Sequence, residues 1–103
     1  MTAIEKSIID LYCDYVYRAN CLHITICKYE KNGDEIRAEK AALTQKQFYA
    51  AASEILNKII VNMDRSTVIE GIEKCNVHYK EYYDGTSNDV FREVDIPDII
   101  MFK

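Results

Sequence analysis

One stretch near the C-terminal end constrains this chain more than any other, because its pairing reads directly from the residues. Residues 75–83, Cys-Asn-Val-His-Tyr-Lys-Glu-Tyr-Tyr, lead into Asp84-Gly-Thr-Ser-Asn-Asp89, and residues 90–96, Val-Phe-Arg-Glu-Val-Asp-Ile, lead out. With Tyr83 set opposite Val90, Tyr79 meets Val94, Val77 meets Ile96 and Glu81 meets Arg92 on one face. On the other face Tyr82 meets Phe91, Lys80 meets Glu93 and His78 meets Asp95. Cross-strand pairs of these kinds contribute roughly 0.2–1 kcal/mol each. A slip of one residue would scramble all of them. The segment is expected to be a β-hairpin.

The preceding chain offers a helix, a hairpin and a second helix. Thr2 and Glu5 have capping-box spacing, and Ile4, Ile8, Leu11, Tyr12, Tyr15 and Ala19 repeat at helical spacing over residues 3–20. Ile9, Cys13 and Val16 widen that stripe, which indicates a helix covered on more than one side. Residues 21–30 alternate, with Leu22, Ile24 and Ile26 on one side and Cys21, His23, Thr25, Cys27 and Tyr29 on the other. Asn32-Gly33 is the strongest short hairpin signal. A helix over 45–62 follows, capped by Thr44 and Gln47, with Phe48, Ala52, Ile55, Leu56, Ile59, Ile60 and Met63 as its stripe. Residues 64–74 read as a turn and then a strand with Gly71 as a bulge. A helix capped by Thr67 with Glu70 is the competing reading of that piece. Pro97 ends the last strand. The expected fold is one α+β domain spanning 1–103: helix, hairpin, helix, hairpin. An antiparallel sheet of four to five strands would carry both helices on one face.

Charge narrows the partners. Thirteen Lys/Arg against 17 Asp/Glu give a net charge of −4, all of it from residues 51–103. No run of more than two basic residues exists, so a phosphate backbone is disfavoured as a direct partner. Eight Tyr without Trp suggest base stacking only where positive charge tracks a strand, and that charge is missing. A partner with a basic surface is the natural complement. The N-terminus lacks a secretory pattern and no apolar run approaches the roughly 20 residues of a membrane span. A cytoplasmic chain with reduced Cys13, Cys21, Cys27 and Cys75 is expected.

Three chemical sites are weighed against plainer readings. Cys21, His23 and Cys27 on one strand face, with Cys75 and His78 downstream, have the donor types of a zinc site. The spacing of Cys75 and His78 would put them on opposite strand faces, and buried thiols are the plainer reading. Cysteine catalysis would need a nearby base and an electropositive setting, and neither is visible. Glu81 on an apolar face would have a raised pKa if desolvated, but Arg92 opposite makes it a structural ion pair. No metal and no cofactor is expected.

The best candidate is a surface. Tyr82 and Phe91 form an outward aromatic pair, flanked by Lys80/Glu93 and His78/Asp95, with Asp84 and Asp89 in the loop. That composition resembles a binding hot spot. The apolar tail Ile99-Ile100-Met101-Phe102 must also find cover, on its own domain or on another chain. The function expected is a small acidic, non-catalytic protein-binding module of inhibitor or immunity type, for example phage-encoded, by analogy of size and charge alone. The alternatives are a metal- or small-molecule-responsive domain built on the Cys/His face of the first hairpin, and a structural homo-oligomer such as a homodimer.

Overall fold

The computed structural model describes residues 1–82 and 93–102. Among the described residues four helices follow one another: α1 (Ala3–Lys31), α2 (Glu35–Lys58), α3 (Arg65–Tyr82) and a short α4 (Asp98–Met101), with a 3-10 turn at Ile60–Asn62. No strand occurs among the described residues, so the α+β fold with its antiparallel sheet is not present. The 21–30 strand and the 64–74 strand are both helical. The 75–83 strand is replaced by the last turns of α3. The pairing of Tyr83 with Val90, together with Asp84, Asp89, Phe91 and Arg92, lies outside the described residues.

Helix α1 begins as its sequence demands. The Thr2 hydroxyl accepts from the Glu5 N–H at 3.1 Å, and the Glu5 carboxylate accepts from the Thr2 N–H at 2.9 Å. That reciprocal bond also holds the Glu5 carboxyl below its usual range. The helix then runs 29 residues, straight through the segment that alternates. Leu22, Ile24 and Ile26 recur every second residue as in a strand, but Leu22 and Ile26 are also four apart, and they extend the series Ile8, Tyr12, Tyr15, Ala19 at helical spacing. Both periods fit the same residues, and the neighbouring helix α2 decides between them.

Asn32-Gly33 is a turn, but one between helices. Gly33 has φ +73°. The Gly33 N–H donates to the Glu30 carbonyl at 3.1 Å and the Asp34 N–H to the Tyr29 carbonyl at 2.9 Å. These two bonds are the Schellman closure of a helix. Asp34 then caps α2, its carboxylate accepting from the Arg37 N–H at 3.1 Å. A glycine at positive φ closes a helix as readily as it turns a hairpin.

The α1–α2 pair is antiparallel, in a register set by three contacts. The Gln45 amide donates to the Ala19 carbonyl at 2.9 Å, the Tyr49 hydroxyl reaches the Asn20 side chain at 2.6 Å, and the Tyr15 and Phe48 rings lie 5.9 Å apart. Small residues let the axes approach: Ala19, Ala38 and Ala52 are all buried.

Helix α3 runs parallel to α1 in a four-residue ladder. Gly71 faces Ile9, Cys75 bonds Asp10 beside Cys13, and Tyr79 stacks on Tyr17 with centroids 4.1 Å apart. Gly71 is required by packing: a Cβ there would sit 2.9 Å from both Cδ1 and Cγ2 of Ile9, which is itself fully buried. Asp64 starts the helix, accepting from the Thr67 N–H at 3.2 Å, so the cap is Asp64 and not Thr67.

The C-terminal strap, residues 93–97, closes the core. Its Val94 exchanges two bonds with the Asn76 side chain: the Val94 N–H donates to Asn76 Oδ1 at 2.8 Å, and Asn76 Nδ2 donates to the Val94 carbonyl at 2.9 Å. Asn20 of α1 donates to the Glu93 carbonyl at 3.3 Å. Val94 and Ile100 are 1% and 0% exposed, and they join Ile9, Tyr12, Cys13, Ile60, Val68 and Ile72 in one cluster. Arg65 caps α4, its guanidinium donating to the Met101 carbonyl at 3.1 and 3.3 Å.

Replacing Asn76 with Ala leaves the Val94 N–H and carbonyl without their partner. Each loss of a partly buried backbone partner costs about 1–3 kcal/mol. Urea unfolding of N76A should show a drop of at least that size, whereas exposed Asn57→Ala on α2 should change stability little.

Candidate functional site

The chemistry-bearing side chains gather in a groove along the α1–α3 seam, about 830 Å³ in volume. Helix α1 contributes Lys6, Asp10 and Asp14, and α3 contributes Lys74, Cys75, His78 and Tyr79. The helical ladder explains the gathering. Asp10 and Asp14 are one turn apart on α1, and Cys75, His78 and Tyr79 are one turn apart on α3. A strand would have separated Cys75 from His78; the helix puts them on one side.

The geometry quiets this chemistry. The Cys75 thiol donates to the Asp10 carboxylate, Sγ to Oδ1 3.3 Å. The adjoining Cys75 thiol, burial, and the Asp10 and Asp14 charges all push the Cys13 thiol far above its ordinary range. A reactive thiolate needs the opposite setting. Lys6 is held by Asp10 at 2.6 Å and Lys74 by Glu70 at 2.9 Å, and the Asp10 contact raises the Lys6 pKa. Burial, with Cys13 and Cys75 nearby, raises the Tyr79 phenol. Nothing in the groove resembles an activated nucleophile with its base.

The other sequence-based sites disperse. His78 and Lys80 lie on α3, and Tyr82 ends it; Glu93 and Asp95 lie on the strap. The strand register that paired them is gone, and Val94 meets Asn76 instead. Val77, expected on the apolar side, is 59% exposed, and Glu81 is exposed on α3. His23 and Cys27 fall on one face of α1, Nε2 to Sγ 3.7 Å, while Cys21 lies about 120° of helical rotation from Cys27. Among the described residues no three donors are placed to hold a metal ion. In the tail only Ile100 is buried; Ile99, Met101 and Phe102 are 46%, 38% and 82% exposed.

A second surface emerges that the sequence reading did not single out. The strap and α3 cover one side of the α1–α2 hairpin: a small hollow there is lined by Tyr12, Val16 and Asn20 of α1, by Tyr49, Ala52 and Leu56 of α2, and by Asp95 and Pro97. Helical rotation places Ile4 and Tyr15 of α1, with Phe48 and Ile55 of α2, away from the strap, and Leu11 beside them at the edge of the α1–α3 groove, which it also lines. Ile4 is 74% and Leu11 48% exposed, and Tyr15, Phe48 and Ile55 are half-buried. The signal for this face was present as the breadth of the α1 stripe. None of the described helices is long and apolar enough to cross a membrane.

Two measurements check the site. Exposed Cys21 and Cys27 should react with a disulfide reagent at once, and Cys13 only as the protein unfolds, read by mass spectrometry of the labelled peptides. Burial pushes the Tyr12 phenol up to about 12. A folded pKa above the unfolded value of about 10 means stability is complete below pH 10 and is lost as pH climbs toward 12. Alkaline unfolding followed by circular dichroism and phenolate absorbance should fall in that window, and Tyr12→Phe should move its midpoint upward.

Comparison with known proteins finds no matching family model, no related curated protein and no matching solved structure.

Proposed function

We propose that the protein is a non-catalytic binding module that works by docking another protein chain on the open face of the α1–α2 hairpin. The observation that carries this reading is the exposure of Ile4 and Leu11, two turns apart on one side of α1, beside the half-buried Tyr15, Phe48 and Ile55. Apolar surface gathered in one patch, rather than scattered singly, marks a contact site. The aromatic pair Tyr15–Phe48 in its middle has the residue character of binding hot spots. The quiet chemistry of the α1–α3 groove favours binding over catalysis.

The Tyr82–Phe91 patch expected from the sequence depends on strand pairing, and Phe91, Asp84 and Asp89 lie outside the described residues. The acidic balance of the chain, −4, complements a basic surface on the partner around the contact. An inhibitor or immunity-type role is the form such binding would take.

A photo-crosslinking amino acid at Leu11 tests this in cells. It should capture a protein chain, whereas the same group at exposed Glu73 on α3 should not. Equal capture at both positions, or none at Leu11, would overturn the assignment.

A further inference from the structure

We propose that Cys13 and Cys75 are a redox-active thiol pair, joined by peroxide into a disulfide that fastens α3 to α1. The pair lies on the covered side of the bundle, and the binding reading above stands or falls without it.

The ladder between α1 and α3 sets the two sulfurs against each other. Gly71 meets Ile9, and Tyr79 stacks on Tyr17 with centroids 4.1 Å apart. These contacts flank Cys75 by one turn on α3 and Cys13 by one turn on α1, so Cys75 falls on the rung of Cys13. The Cys75 thiol is a hydrogen-bond partner of the Cys13 thiol there. Gly71 brings the helix axes close one turn before that rung, since a Cβ on it would meet Ile9 at 2.9 Å. A disulfide needs such closeness, with Cα atoms about 4.4–6.8 Å apart. Cys21 and Cys27 are exposed and lie two or more turns farther along α1.

Unequal access orders the chemistry. Cys75 is 8% exposed and lines the α1–α3 groove, whereas Cys13 is fully buried. A molecule as small as hydrogen peroxide therefore meets Cys75 first. Asp10 is placed to take its proton: Lys6 occupies Asp10 Oδ2 at 2.6 Å, and Oδ1 accepts from the Cys75 thiol at 3.3 Å. The Cys75 sulfur attacks one peroxide oxygen. The S–O bond forms as the O–O bond breaks, and the departing hydroxide takes the proton from Asp10 and leaves as water. The Cys13 sulfur then attacks the Cys75 sulfur. The S–S bond forms, the S–O bond breaks, and the departing hydroxide takes the Cys13 proton as a second water. Two thiols and one peroxide give one disulfide and two waters; each sulfur gives up one electron and each peroxide oxygen gains one. The first step is slow, because a thiol donating to a carboxylate reacts less readily than a thiolate. The second is fast, because its partner is already in place. The bond would also fix Asn76, the next residue on α3, and through it the strap at Val94.

Hydrogen peroxide treatment of the full chain reads the bond directly, through tryptic mapping without reduction after free thiols are blocked. The expected product is a peptide of residues 7–18 linked to one of residues 75–80, lighter than the two free peptides by two hydrogens. Adding dithiothreitol to the oxidised protein should lower its melting temperature by about 10 °C. Cys13→Ala should remove that response. Replacing the exposed pair, Cys21→Ser with Cys27→Ser, should leave the link and the response in place. The peptide map is read on the unaltered sequence, so it decides the matter even where C13A fails to fold. Disulfides through Cys21 or Cys27 alone overturn the proposal. So does Cys75 carried on to a sulfinic acid while Cys13 stays a free thiol. A Cys13–Cys75 link that forms only in urea, or one whose reduction leaves the melting temperature unchanged, overturns it as well.

Discussion

A single side-chain amide holds the architecture closed. Asn76 presents a donor and an acceptor side by side, which is what one residue of a β-ladder presents to its neighbour. Val94 takes both, at 2.8 and 2.9 Å. The bond matters because of what α3 lacks. It packs chiefly on α1 and α4, with little direct contact to α2. The space between them is filled by the strap, whose Val94 and Ile100 are almost wholly removed from water. Burying side chains of this size is worth about 1.5–3 kcal/mol each, but an extended strap cannot satisfy its own backbone as a helix does. Asn76 and Asn20 supply the missing partners and so make that burial affordable.

Closing the core in this way makes the bundle one-sided. The strap and α3 cover the same flank of the α1–α2 hairpin, and the other flank keeps its apolar residues in water. The distal part of the hairpin follows from lengths alone. Gly71 lies beside Ile9 and the helices run parallel, so Tyr82 ends near the level of Asn20. The last third of α1 has α2 as its only described neighbour, which gives the molecule its 46 Å long axis. Function and fold are linked at this point. A groove rich in titratable groups exists on the covered side, but its thiol faces a carboxylate and its lysines are taken by ion pairs. Ile4 and Leu11 remain in water outside the core.

Parts of this were legible in the sequence. The capping box at Thr2 and Glu5 fixed the start of α1, and the breadth of its stripe announced more than one packed face. The register of 75–96 misled for a physical reason. Its complementary pairs exist only if residues 75–82 are extended, and those residues are the last turns of α3. Cys75 and Tyr79 also continue a series from Val68 and Ile72 at steps of four, three and four, the seam that faces α1 in the structure. That period spans twelve residues and crosses Gly71, which read as a bulge because nothing local shows that Ile9 needs the room. Residues 21–30 failed similarly: β-branched Ile24, Thr25 and Ile26 favour a strand by propensity, and only the continuation of the α1 stripe through Leu22, Ile26 and Tyr29, matched by small residues on α2, overrides it. Asn76 gave no signal at all, since its partner is a backbone 18 residues away.

The breadth of the α1 stripe is the observation that joins these threads. A helix in a three-helix bundle needs two apolar arcs, one for each neighbour. In α1 the first runs through Tyr12, Ala19 and Ile26 toward α2, and the second through Ile9, Cys13 and Tyr17 toward α3. Ile4 and Leu11 lie outside both arcs and stay 74% and 48% exposed, Leu11 at the edge of the α1–α3 groove. Apolar positions in excess of what a fold covers lower solubility and add nothing to the core. Their arrangement, seven residues apart beside the Tyr15–Phe48 pair, is apolar surface that the described fold leaves in water.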